Sequence, residues 1–268
     1  MLTHKVDGDG PPLLLLNGGL MSIGAWQPIV PALAAQYRVI RCDFRGQLLA
    51  LKPPFAESWE EHAADVIELL DHLGVERVHV AGVSYGAEVG MFVAALYPDR
   101  VERLTVITAT ERTVDWMRAN AREGQRIAER AAAGAGGGEE LFRNVLDATW
   151  SAEWLAKQPP DFMEQRLRQV AMLPPAFFAG AAAILSILDR LDLTPLLGRI
   201  TAQTLVIGGE HDRVFPPEHS RAIAAGIPNA RLVIMPGTGH GLLFECGERV
   251  VELLRDQTAH PEQIADSR

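Results

Sequence analysis

Apolar residues along this chain fall into two alternating kinds of run. Leu13–Leu16, Tyr37–Cys42, Arg77–Ala81, Leu104–Ile107, Thr204–Ile207 and Arg231–Met235 are short and rich in Val, Ile and Leu, and read as strands. Leu13–Leu16 is apolar throughout, as a strand covered on both faces should be. Longer segments between these runs carry apolar residues at helical spacing. Ser58–Leu73 puts Ala64, Ile67 and Leu70 on one face and stops at Gly74. Ala87–Leu96 reads as another helix, and Val250–Leu254 begins a closing one. Strand–helix alternation of this kind predicts an α/β fold, with a mostly parallel sheet of about seven strands flanked by helices.

The strand signal disappears between about Glu111 and Thr201. That stretch is helical in character and rich in Ala, Arg and large apolar residues. It holds Ala131-Ala-Ala-Gly134-Ala-Gly-Gly-Gly138, which helix propensity disfavours and which reads as a hinge or loop. The expected organisation is a core built from residues 1–110 and 198–268, interrupted by a helical insertion over 111–197.

Composition narrows the picture. The chain has 268 residues, 48% of them hydrophobic, enough for one large domain or one domain with an insertion. A net charge of −9 argues against a nucleic-acid or anionic-membrane partner, because both need a basic surface. Cys42 and Cys246 are the two cysteines, and neither stands in a Cys-x-x-Cys pair or at metal-ligand spacing from a His. They read as small buried apolar residues in a reducing compartment. The N-terminal residues lack the apolar stretch of a signal peptide, so a cytoplasmic location is expected.

Candidate chemistry sits at strand ends. Gly82-Val-Ser84-Tyr-Gly86 follows a strand and precedes a helix, the context that a G-x-S-x-G motif requires. In so tight a turn Ser84 is pushed above the sheet, where it can serve as a nucleophile. A serine hydroxyl attacks only when a base takes its proton. Among the eight histidines, His240 stands in the glycine-rich loop Gly237-Thr-Gly-His240-Gly241, just after a strand. His4 and His260 lie near the termini, His62 and His72 in a helix, His79 in a strand, and His211 and His219 beside another loop. Asp212, in the post-strand loop Gly208-Gly-Glu-His-Asp212, is the candidate for orienting His240, with Glu210, Glu111 and Asp115 as competitors. An oxyanion needs two converging N–H donors. Tyr85, directly after the nucleophile, supplies one. Gly19, in Asn17-Gly-Gly-Leu20-Met21 after the first buried strand, supplies the other, with Leu20 as the alternative.

With these motifs in order, the chain resembles the α/β-hydrolase family over residues 4–258. The resemblance is carried by Leu16-Asn17-Gly18-Gly19, Asp43-Phe-Arg45-Gly46, Gly82–Gly86, Gly208–Asp212 and Gly239-His240. It implies a Ser84–Asp212–His240 triad that needs no metal or organic cofactor. Three features depart from the family pattern. Asn17 stands where members usually have a His that supports the loop, so its amide takes over that support. Gln47-Leu-Leu-Ala-Leu51 replaces a run of small residues and makes the neighbouring wall more apolar. Only about a dozen residues precede Leu13, so the first of two N-terminal strands is missing. A Ser at position 84 sets the chain apart from relatives with an Asp or Cys nucleophile.

In this family, the resemblance further implies, an insertion at this place forms a helical cap over the site. Trp116, Trp150, Trp154, Phe162, Met163, Met172, Phe177 and Phe178 make it strongly apolar. Most of these should pack the cap. Leu20, Trp116, Trp150, Met172, Phe177, Phe178 and Leu242 are the candidate substrate contacts. Arg118, Arg122, Arg126 and Arg130 recur every fourth residue and read as a solvated helix face, partly paired with Glu123 and Glu129, with binding of an acidic substrate as the alternative. The expected activity is hydrolysis of a carboxylic ester or lactone of a small, largely apolar substrate. The rivals are carbon–carbon bond hydrolysis of a vinylogous diketone on the same triad, which inward-facing arginines would favour because that substrate usually carries carboxylates, or ligand sensing with slow turnover.

Overall fold

The computed structural model describes residues 1–258; His260 and the rest of the C-terminal residues of the expected core lie outside them. Seven strands form one sheet: β1 (Thr3–Asp7), β2 (Pro12–Leu16), β3 (Arg38–Asp43), β4 (Val78–Val83), β5 (Val101–Ile107), β6 (Gln203–Gly209) and β7 (Ala230–Met235). Their order across the sheet is β1-β3-β2-β4-β5-β6-β7. All neighbours are parallel except β1, which runs antiparallel to β3 at the edge. One strand, β1, precedes the buried Leu13–Leu16 run of β2.

The helices are α1 (Val30–Ala34), α2 (Trp59–His72), α3 (Tyr85–Leu96), α4 (Asp115–Ala132), α5 (Gly138–Thr149), α6 (Ala152–Leu155), α7 (Phe162–Ala171), α8 (Pro175–Leu188), α9 (Pro217–Gly226), α10 (Leu242–Glu245) and α11 (Gly247–Thr258). Ser58 caps α2, its hydroxyl accepting from the Glu61 N–H at 3.2 Å.

Strands that look uniformly apolar in sequence serve two different cores. Leu14 and Leu16 of β2, with Val80 of β4 and Val106 of β5, belong to the core that includes residues of α2 and α3. Leu13 and Leu15, with Ala81, Val83 and Ile107, face the core that holds residues of α1 and α11. The period of two is therefore intact, and it is hidden only because both faces are dry.

The chain leaves the sheet after β5 and returns at β6, and α4 to α8 fill the interval. The two ends of this insertion are stitched together. The Thr113 N–H donates to the Leu191 carbonyl at 3.0 Å, and the Leu193 N–H donates to that of Glu111 at 2.7 Å. Inside, Ile127, Leu141, Phe142, Leu167, Phe177 and Phe178 form a separate apolar cluster. The glycine-rich stretch before α5 is a turn, with Gly137 as the N-cap.

Candidate active site

Strand order fixes where a site can form. From β2 the chain crosses to β3 on one side, and β4 lies on the other, so a crevice opens beyond the carboxyl ends of β2 and β4. The Gly18-Gly19 loop leaves β2 at that point, and Ser84 follows β4.

Ser84 has φ 52° and ψ −126°, a left-handed conformation that costs a non-glycine residue about 1–3 kcal/mol. Neighbouring contacts impose this turn. A Cβ on Gly82 would lie 2.4 Å from the Gly86 carbonyl oxygen, and one on Gly86 would lie 2.3 Å from that of Leu16. Both approaches are backbone to backbone, so only glycine fits at either position. The Tyr85 ring anchors the start of α3, packing 4.6 Å from the Trp59 ring and edge-on to His62 and Phe44.

His240 joins three strand ends. Its Nε2 lies 3.1 Å from Ser84 Oγ, and its Nδ1 lies 2.8 Å from Asp212 Oδ2. Because a carboxylate accepts only, Nδ1 carries the proton and Nε2 is free to accept from the serine hydroxyl. The other oxygen of Asp212 accepts from the N–H groups of Val214 and Phe215, each at 2.8 Å. Asp212 is thereby buried and immobilised. The Phe215 ring meets the imidazole edge-on at 5.3 Å. The competing acids are occupied elsewhere: Glu111 contacts His219 at 2.8 Å, Glu210 accepts from the Gly237 N–H, and Asp115 pairs with Arg118 on the surface.

Among the described residues, the N–H groups of Gly19 and Tyr85 have no hydrogen-bond acceptor. Both residues line a cavity with Ser84 and His240. The loop carrying Gly19 is held from behind. Asn17 Nδ2 lies 2.8 Å from the Cys42 carbonyl, 2.9 Å from Asp43 Oδ1 and 3.0 Å from Gln47 Oε1, while Asn17 Oδ1 accepts from the Trp26 indole at 2.8 Å. Gln47 Nε2 in turn donates to the Gly18 carbonyl at 2.7 Å and approaches that of Gly19 at 3.3 Å. Asn17 thus supports the loop through its amide. The Gln47–Leu51 segment does not build the cavity wall: Leu48 and Leu49 face solvent, and Gln47 acts through hydrogen bonds.

The cavity measures about 540 Å³ and is mostly apolar. Of the sequence candidates for substrate contact, Leu20 and Trp150 line it. The other five do not. Trp116 on α4 and Met172, the residue that caps the C-terminus of α7, point outward, 46% and 86% exposed. Phe177 and Phe178 are consumed by the core of the insertion, and Leu242 packs beneath the site while its neighbours Leu243 and Phe244 reach the cavity. The wall is formed instead by Phe142, Val145, Leu146 and Thr149 of α5, Arg166, Gln169 and Val170 of α7, and Ile184, Leu185 and Leu188 of α8. Their spacing is the one signal that could have found them, since each set recurs at three- and four-residue intervals on one helix face.

The arginine stripe on α4 stays outside, paired with Asp115, Asp189, Glu123 and Glu140. Glu129, an expected partner, accepts from Gln125 instead, one turn away on the same face. Glu88 lines the cavity from the first turn of α3. It is fully buried, and burial pushes its carboxyl up to about 8.

Known proteins share this fold. A protein of Stutzerimonas stutzeri (strain A1501) named "Putative carbamate hydrolase RutD" is 28% identical over 260 residues, 96% of this chain and 95% of its own. A thermophilic esterase from Thermogutta terrifontis, solved with malate bound, superposes with a TM-score of 0.83 at 28% identity, over 95% of this chain and 92% of its own. The enol-lactonase from Burkholderia xenovorans LB400 gives a TM-score of 0.83 at 26% identity, over 96% and 95%. The family signature of the alpha/beta hydrolase fold matches residues 11–245. The chain belongs to the α/β-hydrolase fold family.

Proposed function

We propose that this protein is a serine hydrolase that cleaves a carboxylic ester or lactone through an acyl-enzyme. One observation carries the reading: the His240 ring spans Ser84 Oγ at 3.1 Å and Asp212 Oδ2 at 2.8 Å at the edge of an apolar cavity. Nε2 takes the hydroxyl proton as Oγ attacks the carbonyl carbon. The developing oxyanion is met by the Gly19 and Tyr85 N–H groups. Asp212 stabilises the imidazolium, which then protonates the leaving alcohol. Water, deprotonated by His240, attacks the acyl-enzyme and frees Ser84. No step calls for a metal or an organic cofactor. The helical insertion acts as a lid whose α5, α7 and α8 faces select the acyl or alcohol group.

A carbamate is the second reading, favoured by the name of the Stutzerimonas stutzeri relative. The same groups would attack its carbonyl, but a small carbamate leaves much of a 540 Å³ apolar cavity unfilled. A panel of p-nitrophenyl esters, lactones, carbamates and vinylogous diketones decides. Esters or lactones with medium apolar groups should give the highest kcat/KM. A preference for carbamates or diketones would overturn the ester–lactone assignment.

A further inference from the structure

Four ionisable side chains line the cavity among the described residues: Tyr85, Glu88, His240 and Arg166. Arg166 is the one permanent cation. It sits on α7, the helix that faces the core across the cavity. Its guanidinium lies 5.3 Å from the Phe162 ring centroid, and Nη1 donates to Gln169 Oε1 at 3.3 Å. These contacts aim the group without neutralising it.

Every other arginine of α4 and α7 has a carboxylate partner. Arg118 and Arg122 take Asp189, Arg126 takes Glu123, Arg130 takes Glu140 and Arg168 takes Glu164. Among the described residues no carboxylate lies within ion-pair distance of Arg166. Of the arginines on α4 and α7, in a chain of net charge −9, the one at the cavity is the one without a carboxylate partner. Glu88 does not supply one, because its buried carboxyl stays protonated at neutral pH. The cavity therefore combines an apolar interior with one solvent-exposed positive charge on the lid side that no carboxylate pairs.

We infer that the substrate carries an ionised carboxylate remote from its scissile carbonyl, and that Arg166, assisted by Gln169, holds it. The inference rests on the ester–lactone reading and narrows it: the acyl part is a half-ester of a dicarboxylic acid, or a lactone bearing a carboxylate arm. Arginine suits the role because its planar fork binds a carboxylate through two parallel hydrogen bonds. Gln169 offers its amide N–H₂ as a further donor once the guanidinium turns to the substrate.

The test uses p-nitrophenyl monoesters of butanedioic to octanedioic acid, each paired with the straight-chain p-nitrophenyl alkanoate of equal length. In the wild-type protein at least one diacid monoester should exceed its neutral match about tenfold in kcat/KM, with the preference shrinking as salt rises. Arg166→Gln should bring that ratio close to one, Arg166→Glu should reverse it, and Arg166→Lys should keep part of it. Comparing ratios within each variant cancels any general loss of activity. A second arm measures binding of monoethyl hexanedioate and ethyl hexanoate to Ser84→Ala protein and to the same protein carrying Arg166→Gln. Tighter binding of the anion that depends on Arg166 supports the inference even where turnover fails, and absent turnover of neutral esters counts against the ester reading alone. A wild-type ratio near one at every length, or an anion preference that survives Arg166→Gln in both arms, would overturn it.

Discussion

The side-chain amide of Gln47 donates to the Gly18 carbonyl oxygen across 2.7 Å and so joins two loops that lie 29 residues apart in the chain. Gln47 is almost wholly buried, and its own carbonyl oxygen accepts from the Asn17 amide and from the Phe44 N–H, each at 3.0 Å. The amide therefore reads donor from acceptor on both sides. Glutamate in its place keeps the acceptor but turns an oxygen toward the Gly18 carbonyl. Gln47→Glu should lower kcat by about 10–100-fold while KM changes little, because the loop it steadies holds Gly19, the proposed oxyanion donor. Equal losses in kcat and thermal stability with a large rise in KM would instead mark a merely structural link. Steady-state kinetics with melting curves separate the two.

Asp212 and Glu111 give a paired prediction. Asp212 Oδ2 meets His240 at 2.8 Å, whereas Glu111 meets His219 at the same distance. Asp212→Asn should cost roughly 10⁴-fold in kcat, since the amide favours the wrong imidazole tautomer. Glu111→Gln should stay within about tenfold of wild type. Reversed losses would move the orienting acid to the end of β5.

Selectivity should follow the cavity wall and ignore apolar residues that only look available. Leu146→Ala and Leu185→Ala enlarge the cavity, each removing about three carbons, and should shift the preferred acyl chain to greater length. Trp116→Ala and Met172→Ala alter outward-facing side chains and should leave the chain-length profile unchanged. A profile that moves with Trp116 or Met172 would show that the insertion closes differently over the site.

Three buried groups set the pH dependence of stability. Burial lowers His62 and His79 from 6.5 to about 3, so below pH 6.5 the unfolded chain binds more protons and stability falls with acid. Glu88 works in the opposite sense. Burial raises it from 4.5 to about 8, so between those values the folded chain holds the extra proton and stability falls as pH rises. The two histidines outweigh the one glutamate up to 6.5, which places the maximum near that pH. One such group contributes a slope of at most about 1.4 kcal/mol per pH unit. Glu88→Gln should flatten the decline from pH 6.5 to 8, read as Tm against pH. Parallel wild-type and variant profiles would mean that Glu88 ionises normally.

Much of this was legible in the sequence, for physical reasons. The apolar strands, the glycines at 82 and 86 and the polar residues at strand ends are all local signals, and they single out Ser84, Asp212, His240 and Gly19 as candidates. β1 was read only as the single strand left before Leu13. Its burial pattern is mostly exposed, as an edge strand allows, so no apolar run marked it. The wall of the cavity is not legible from the size of apolar residues alone. Phe177 and Phe178 are as apolar as any wall residue, yet the insertion uses them for its own core. Which face of α5, α7 or α8 meets the sheet depends on how the helices dock. The place of Arg166 is hidden for the same reason, since in the chain it is one charge among many on a polar helix.

The most direct test of the central claim is the mass of the intact protein after treatment with an aryl-activated alkylphosphonate, which reacts with a serine nucleophile only when base and oxyanion donors are assembled. The account predicts one adduct per chain, carried by the peptide containing Ser84, lost in Ser84→Ala and slowed by orders of magnitude in His240→Ala. An unmodified protein that nevertheless hydrolyses esters, or an adduct that persists in Ser84→Ala, would contradict it.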